Sequence, residues 1–162
     1  MKTISTRFPY LALVGMVFLL TTASCSSDSN DPQLGPISYA GTGTFSFTGD
    51  TTFTFQGSVN NVGIVGDFLP VFLTNSDDLT LQIGINGDPE VQAGTYVTGV
   101  QPVQAFTSIT LFDELYEATS GTVTITSFNE NEIKGSVDTT ISAFFGSSND
   151  IFIEGTFELT AQ

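Results

Sequence analysis

Histidine and tryptophan are absent from this 162-residue chain, cysteine occurs once, and only three residues are basic. Each shortage excludes a class of chemistry. Without histidine there is no Ser-His-Asp or Cys-His machinery and no imidazole ligand for a metal. A single cysteine, Cys25, cannot close an internal disulfide. Two of the three basic residues, Lys2 and Arg7, stand at the very start. Beyond them Lys134 is alone against all 17 acidic residues. A nucleic-acid or anionic-membrane surface needs a basic patch, and there is no material for one. No arginine remains to clamp phosphate, and no Gly-rich loop follows a strand and opens a helix as nucleotide binding requires. Long apolar runs are missing too. The longest, Tyr10 to Leu20, falls short of the roughly 20 residues a membrane-spanning helix needs.

What is present begins with that short run. Lys2 and Arg7 give it a positive flank, and Thr21-Thr22-Ala23-Ser24 lead from it to Cys25. This is the order of a secretory leader, which the folded domain never contains. Three readings of its end compete: cleavage before Cys25 with acylation of the thiol, ordinary cleavage after Thr21-Thr22-Ala23, and a retained anchor helix. The lone cysteine favours the first. Residues 1–24 are then a signal peptide. Residues 25–36 are polar and punctuated by Pro32, Gly35 and Pro36, too poor in apolar surface to fold, and read as a flexible tether. Residues 37–162 form one domain of a size that buries a respectable core.

The domain is written in Thr, Val, Ile, Phe and Gly, with period-two alternation and no helical period. Phe45 and Phe47 share one face, and so do Phe53 and Phe55. An odd loop around Gly49-Asp50-Thr51 keeps both pairs on the same side, so a three-residue hairpin pairing Phe47 with Phe53 is expected. Val123 and Ile125 alternate with threonines before a turn at Asn129-Glu130-Asn131. Ile133, Gly135, Val137, Thr139, Ile141, Ala143 and Phe145 then share a face, and Ile151, Ile153, Gly155, Phe157 and Leu159 return. Pairing Phe145 with Ile151 is expected, which sets Ala143 against Ile153, Ile141 against Gly155 and Val137 against Leu159. Leu79–Ile85, Gly94–Val97 and Ala105–Phe112 are further strands. The apolar stretch 62–73, broken by Gly63, Gly66 and Pro70, predicts one or two bent strands, and Asp113 to Ala118 a helical turn or loop. The sum is an all-β, antiparallel domain of nine or ten strands. It is an up-and-down barrel or a curled sandwich, ending in a meander.

Two resemblances join these readings. Ala23-Ser24-Cys25 resembles a lipobox, with Thr22 where leucine is usual, and Asp28 and Asp31 behind it resemble the export signal of Bacteroidetes-type surface lipoproteins. The run Gly121-Thr122-Val123-Thr124-Ile125-Thr126, then Ile133-Lys134-Gly135-Ser136-Val137, then Gly155-Thr156-Phe157, resembles an uncharacterised all-β domain family of such lipoproteins. Its pattern is GTxTIT, IxGxF and GxF, and Gly94-Thr95-Tyr96 matches its GTY element. Val137 stands where that pattern carries phenylalanine. The likeness covers roughly 90–160. It implies an outer-membrane address, lipid-anchored and facing the cell exterior, and supplies no catalytic residues.

Carboxylates are the remaining source of chemistry. Ca²⁺ needs several oxygens within about 2.3–2.6 Å. Asp77, Asp78, Asp88, Glu90, Asp113 and Glu114 are the candidates, with Asn149-Asp150 beside them, none in EF-hand spacing. The bland reading is an acidic, solubilising surface. A glycan-processing enzyme would need two carboxylates about 5–9.5 Å apart. Asp113, Glu114 and Glu117 near Tyr116 are the best cluster, against the plainer reading of a solvated acidic loop. No resident cofactor is implied. The whole reads as a membrane-anchored lipoprotein acting as a binding or structural module toward a protein or glycan. The alternative is a small barrel carrying a hydrophobic ligand, and the enzyme stands third.

Overall fold

A computed structural model describes residues 37–144 and 150–162. The leader, Cys25 and the tether lie outside the described residues, as does Phe145. The described chain holds nine strands: β1 (Ser38–Gly49), β2 (Phe53–Gly63), β3 (Phe68–Thr74), β4 (Thr80–Asn86), β5 (Gly94–Val97), β6 (Ala105–Leu111), β7 (Glu114–Phe128), β8 (Glu132–Ala143) and β9 (Ile151–Ala161). The sheet runs β5-β7-β6-β4-β3-β2-β1-β9-β8, and β7 also pairs with β8. That last pairing closes eight antiparallel strands into a barrel, with β5 as an added ninth. Closure leaves the eight strands without a free edge.

Two classes of position fill the interior. Phe45, Phe47 and Phe55 are fully buried, with Leu69, Leu73, Leu81, Ile83, Ile109, Ile125 and Ile141. Glycines face the rings. A Cβ on Gly57 would lie 2.5 Å from the Phe55 ring, and one on Gly135 would lie 2.6 Å from the Phe157 ring. Phe45 covers two such places, since a Cβ on Gly43 or Gly155 would stand 2.6 or 2.5 Å from its ring. The register makes this systematic. Gly57, Gly43, Phe157 and Gly135 lie in one row across β2, β1, β9 and β8, and Phe55, Phe45, Gly155 and Val137 lie in the next. Large side chains thus lean over empty positions, Phe55 and Phe45 over glycines of the neighbouring row and Phe45 and Phe157 over glycines beside them in their own. This is how a small barrel reaches close packing without strain.

The β1–β2 hairpin has the expected register, Phe47 with Phe53 and Phe45 with Phe55. The Phe47 and Phe53 rings stack with centroids 4.4 Å apart. The β8–β9 register differs from expectation. Ile141 pairs with Ile151, Thr139 with Ile153 and Val137 with Gly155. The partner of Val137 has moved four residues, from Leu159 to Gly155. An even shift keeps every inward residue inward, so alternation cannot choose between the two. Ring packing chooses: the observed register seats Phe157 over Gly135 and joins two β-branched residues, Ile141 and Ile151. The stretch 62–73 becomes the end of β2 and a separate β3, with a single registered pair, Ser58 with Thr74, between them. Pro70 lies in β3 and cannot donate to a ladder.

A helical turn or loop over Asp113 to Ala118 is also corrected. β7 begins at Glu114 and runs 15 residues. Only Phe112 and Asp113 turn the chain, both at positive φ (53° and 64°), as a two-residue hairpin requires.

Hairpin alternation assigns the barrel two ends. The start of β1, the end of β9 and the connections 64–67, 87–104 and 129–131 share one, the entry end. The turns 50–52, 75–79, 112–113 and the β8–β9 connection share the other, the far end. Gln162 N–H donates to the Ser38 carbonyl at 2.9 Å, so both ends of the domain meet.

A side chain on Gly155 has no room, as its Cβ would stand 2.3 Å from the Thr44 carbonyl oxygen. Gly155→Val is expected to destabilise the barrel by about 1–3 kcal/mol or more. Phe157→Ala, which empties the neighbouring seat, should cost about 3–5 kcal/mol. Urea unfolding of the two variants checks both.

Candidate functional site

Three surfaces gather the polar and exposed groups. The first is the far end. Phe112 tips the β6–β7 hairpin and is 83 % exposed. A left-handed conformation costs a non-glycine residue about 1–2 kcal/mol, so the turn carries backbone strain under an exposed aromatic. Phe144, 56 % exposed, comes beside the same hairpin: its N–H donates to the Leu115 carbonyl at 2.8 Å. Leu115 is itself exposed. Asp78 and Asp113 line a depression of about 390 Å³ with Phe112, Thr80, Gln82 and Thr110. Asp77 N–H donates to the Asn75 side chain, which shapes the β3–β4 turn. Asp150 accepts a hydrogen bond from the Ser142 hydroxyl at 2.5 Å.

Asp88 and Glu90 are at the opposite, entry end. They line a cavity of about 250 Å³ with Asn86, Gln92, Tyr96 and Gln104. The Tyr96 hydroxyl donates to the Gln92 carbonyl at 2.8 Å and helps fold that connection. The six calcium candidates are therefore divided between two ends, Asp77, Asp78, Asp113 and Glu114 at one and Asp88 and Glu90 at the other. Among the described residues no three or more Cys, Asp or Glu side chains converge in a way that could hold a metal ion.

The carboxylate cluster around Tyr116 comes apart in the same way. Strand alternation buries Tyr116 in the interior, where it pairs across to Ile109 and Ala143, so it is not borne on a loop. Glu117, next along the strand, points outward opposite Ser108 and lines a side-wall cavity. Asp113 belongs to the far-end depression.

The third surface is a trough of about 360 Å³ on the outer wall, lined by Thr42, Thr44, Thr126, Ser136 and Thr156, with Lys134 and Glu158 at its flank. It lies on a ladder of hydroxyl and amide side chains that the register sets in line across six strands: Gln56, Thr44, Thr156, Ser136, Thr124 and Thr95. Lys134 Nζ bridges Glu132 at 2.9 Å and Glu158 at 3.0 Å. The ammonium holds the Glu132 carboxyl below its ordinary range, and the Ser127 hydroxyl adds to this. Glu132 and then Glu158 raise Lys134 in turn. At the entry end, burial pushes the Tyr39 phenol up, with Glu130 nearby adding to it. Its hydroxyl donates to the Asn129 carbonyl at 3.2 Å and ties β1 to the β7–β8 turn.

Phe112 is the residue that sequence reading missed. The stretch Ala105–Phe112 reads as one strand, and its last residue draws no notice there. The signal was available in the phase: Ile109 and Leu111 face inward, so an even-numbered Phe112 falls on the outer side. No family model matches the chain, and neither a curated protein nor a solved structure matches it. The lipoprotein likeness therefore rests on the quoted motifs alone. No helix among the described residues is long and apolar enough to cross a membrane.

Two outcomes follow from this geometry. Phe112→Gly removes the positive-φ strain and should raise stability by about 1 kcal/mol in a urea melt. The ion pairs set a pH dependence. Glu132, lowered in the fold, adds stability above the ordinary carboxylate range and loses it as pH falls through its folded value. Lys134, raised, adds stability below its ordinary value and loses it as pH rises through its folded value. The groups are exposed and the effect is small. The difference in thermal midpoint between the parent and Lys134→Met should be largest between about pH 5 and 9 and fade as pH drops below the ordinary carboxylate range.

Proposed function

We propose that this chain is a lipid-anchored module of the outer membrane, facing the cell exterior, that binds a partner protein through the far end of its barrel. The observation that carries the reading is Phe112: a large aromatic, 83 % exposed, held on a strained tight turn at the end opposite the one where the chain enters. Strain is retained where surrounding structure enforces it, and such places cluster at functional sites. Phe144 and Leu115 beside it extend the apolar contact, and the neighbouring aspartates select against acidic partners. A tether of about a dozen residues behind Cys25 gives the barrel reach above the bilayer. The interior weighs against carriage of a hydrophobic ligand within it. Phenylalanine rings and branched side chains occupy the space a carrier would keep open. The separated carboxylates weigh in the same direction against glycan hydrolysis.

A fatty-acid probe fed to growing cells should label the parent chain and leave Cys25→Ala unlabelled. Protease added to intact cells should then remove the domain from the parent. A photo-reactive phenylalanine analogue placed at position 112 should cross-link a protein on intact cells, and the same analogue at position 131, on the entry end, should not. Equal labelling of Cys25→Ala sinks the anchor. Equal cross-linking from both positions sinks the far-end contact.

A further inference from the structure

Among the described residues three buried threonine hydroxyls have no hydrogen-bond partner within the chain: Thr98, Thr107 and Thr139. All three side chains face the barrel interior and are at most 1 % exposed. The register brings them together. Thr98, just past β5, donates its N–H to the Gly121 carbonyl at 3.0 Å. Gly121 stands opposite Thr139 in the β7–β8 ladder. Thr98, Gly121 and Thr139 thus lie side by side on neighbouring strands. Gly121 has φ of +115°, and a Cβ there would meet the Asp138 carbonyl oxygen at 2.2 Å. That position therefore stays glycine, and no side chain separates the two threonines. On its other flank Thr98 bridges to Ala105, and Thr107 stands two residues further along the same face of β6.

The wall is parted at this place. β6 and β7 pair directly from Leu111–Glu114 to Ser108–Glu117 and no further. Beyond that, β7 carries a register shift between Ala118 and Ser120, and β5 fills the wedge. Its fit is incomplete on the β6 side, where the Gln104 side chain accepts the Val97 N–H at 3.0 Å. A cavity of about 300 Å³ opens at the parting, and Ala105, Thr107 and Ala118 line it together with Gly99, Gln101 and Glu117.

We propose that Thr98, Thr107 and Thr139 form an internal hydration site, filled with ordered water that enters through the side wall between β6 and β7. A buried hydroxyl without a partner is costly, and three on neighbouring strands would consume much of a small domain's stability. Water relieves this where a site is polar and offers two to four partners. No charged side chain is buried in the described interior, so the site suits a neutral hydroxylic guest and rejects ions. The opposing reading is that the threonines serve as valine-shaped filler in a dry core.

A high-resolution crystal structure of the full chain, with thermal unfolding of Thr139→Val and Thr139→Ser, separates the two. The expected result is ordered water bonded to at least two of the three hydroxyls. With it, Thr139→Val should lower the unfolding midpoint by about 2–8 °C while Thr139→Ser holds it near the parent's. Dry density, with a Thr139→Val midpoint equal to or above the parent's, overturns the proposal. If Thr139→Val fails to fold or the readouts disagree, the density in the parent decides.

Discussion

An aromatic ring laid over a glycine is the contact on which the barrel depends. Eight strands enclose an interior only wide enough for side chains to fill it. A ring can enter only where the position facing it is empty. Phe45 over Gly43 and Gly155, Phe55 over Gly57 and Phe157 over Gly135 satisfy that condition on four adjacent strands. Two of these contacts cross between strands, Phe45 over Gly155 and Phe157 over Gly135, and they hold the register of β1, β9 and β8, because sliding one of these strands moves a ring off its seat. Packing and topology are therefore one constraint here. The filled interior also directs attention to the rim and the outer wall as the places where a partner is met.

The wall has one irregular place, and β5 occupies it. Four residues pair with β7 on one side and lean on the Gln104 side chain on the other. Everywhere else except the thin β2–β3 contact, backbone ladders carry closure. The two ends differ in kind as well. The entry end is stitched by Tyr39 to the β7–β8 turn and by the bond between the chain's last residue and Ser38. The far end presents short turns, aspartates and exposed phenylalanine.

How much of this was legible in the sequence follows from what alternation can encode. It encodes faces. Phe45, Phe47, Phe53 and Phe55 fixed the first hairpin because only an odd loop puts them on one side. Alternation leaves even register shifts undecided, which is why β8–β9 was set four residues away from its true pairing. It also leaves undecided which distant strands meet. Nothing local in Gly94–Val97 says that β5 finds β7 and fills a wedge. Tyr116 shows a different failure: acidic residues around it give it the look of a loop residue, and alternation counted back from Val123 and Ile125 puts it outside, because the register shift between Ala118 and Ser120 that turns it inward leaves no mark in the alternation. For the candidate site, the turns bearing carboxylates could be located in sequence. Their separation onto two ends could not, because it depends on the order of strands around the barrel.

The meeting of first and last strands has a practical consequence. Because Tyr39 lies against Ala161 and Ser38 against Gln162, the domain's start and finish emerge side by side. Anything genetically fused after Gln162 starts from the end of the barrel where β1 begins, opposite the rim that bears Phe112. The fold also has no preferred beginning. Joining residues 38 and 162 through a short linker and reopening the chain between Phe112 and Asp113 would keep every ladder intact. Such a circular permutation leaves the order of strands around the barrel unchanged and opens the chain at an exposed turn.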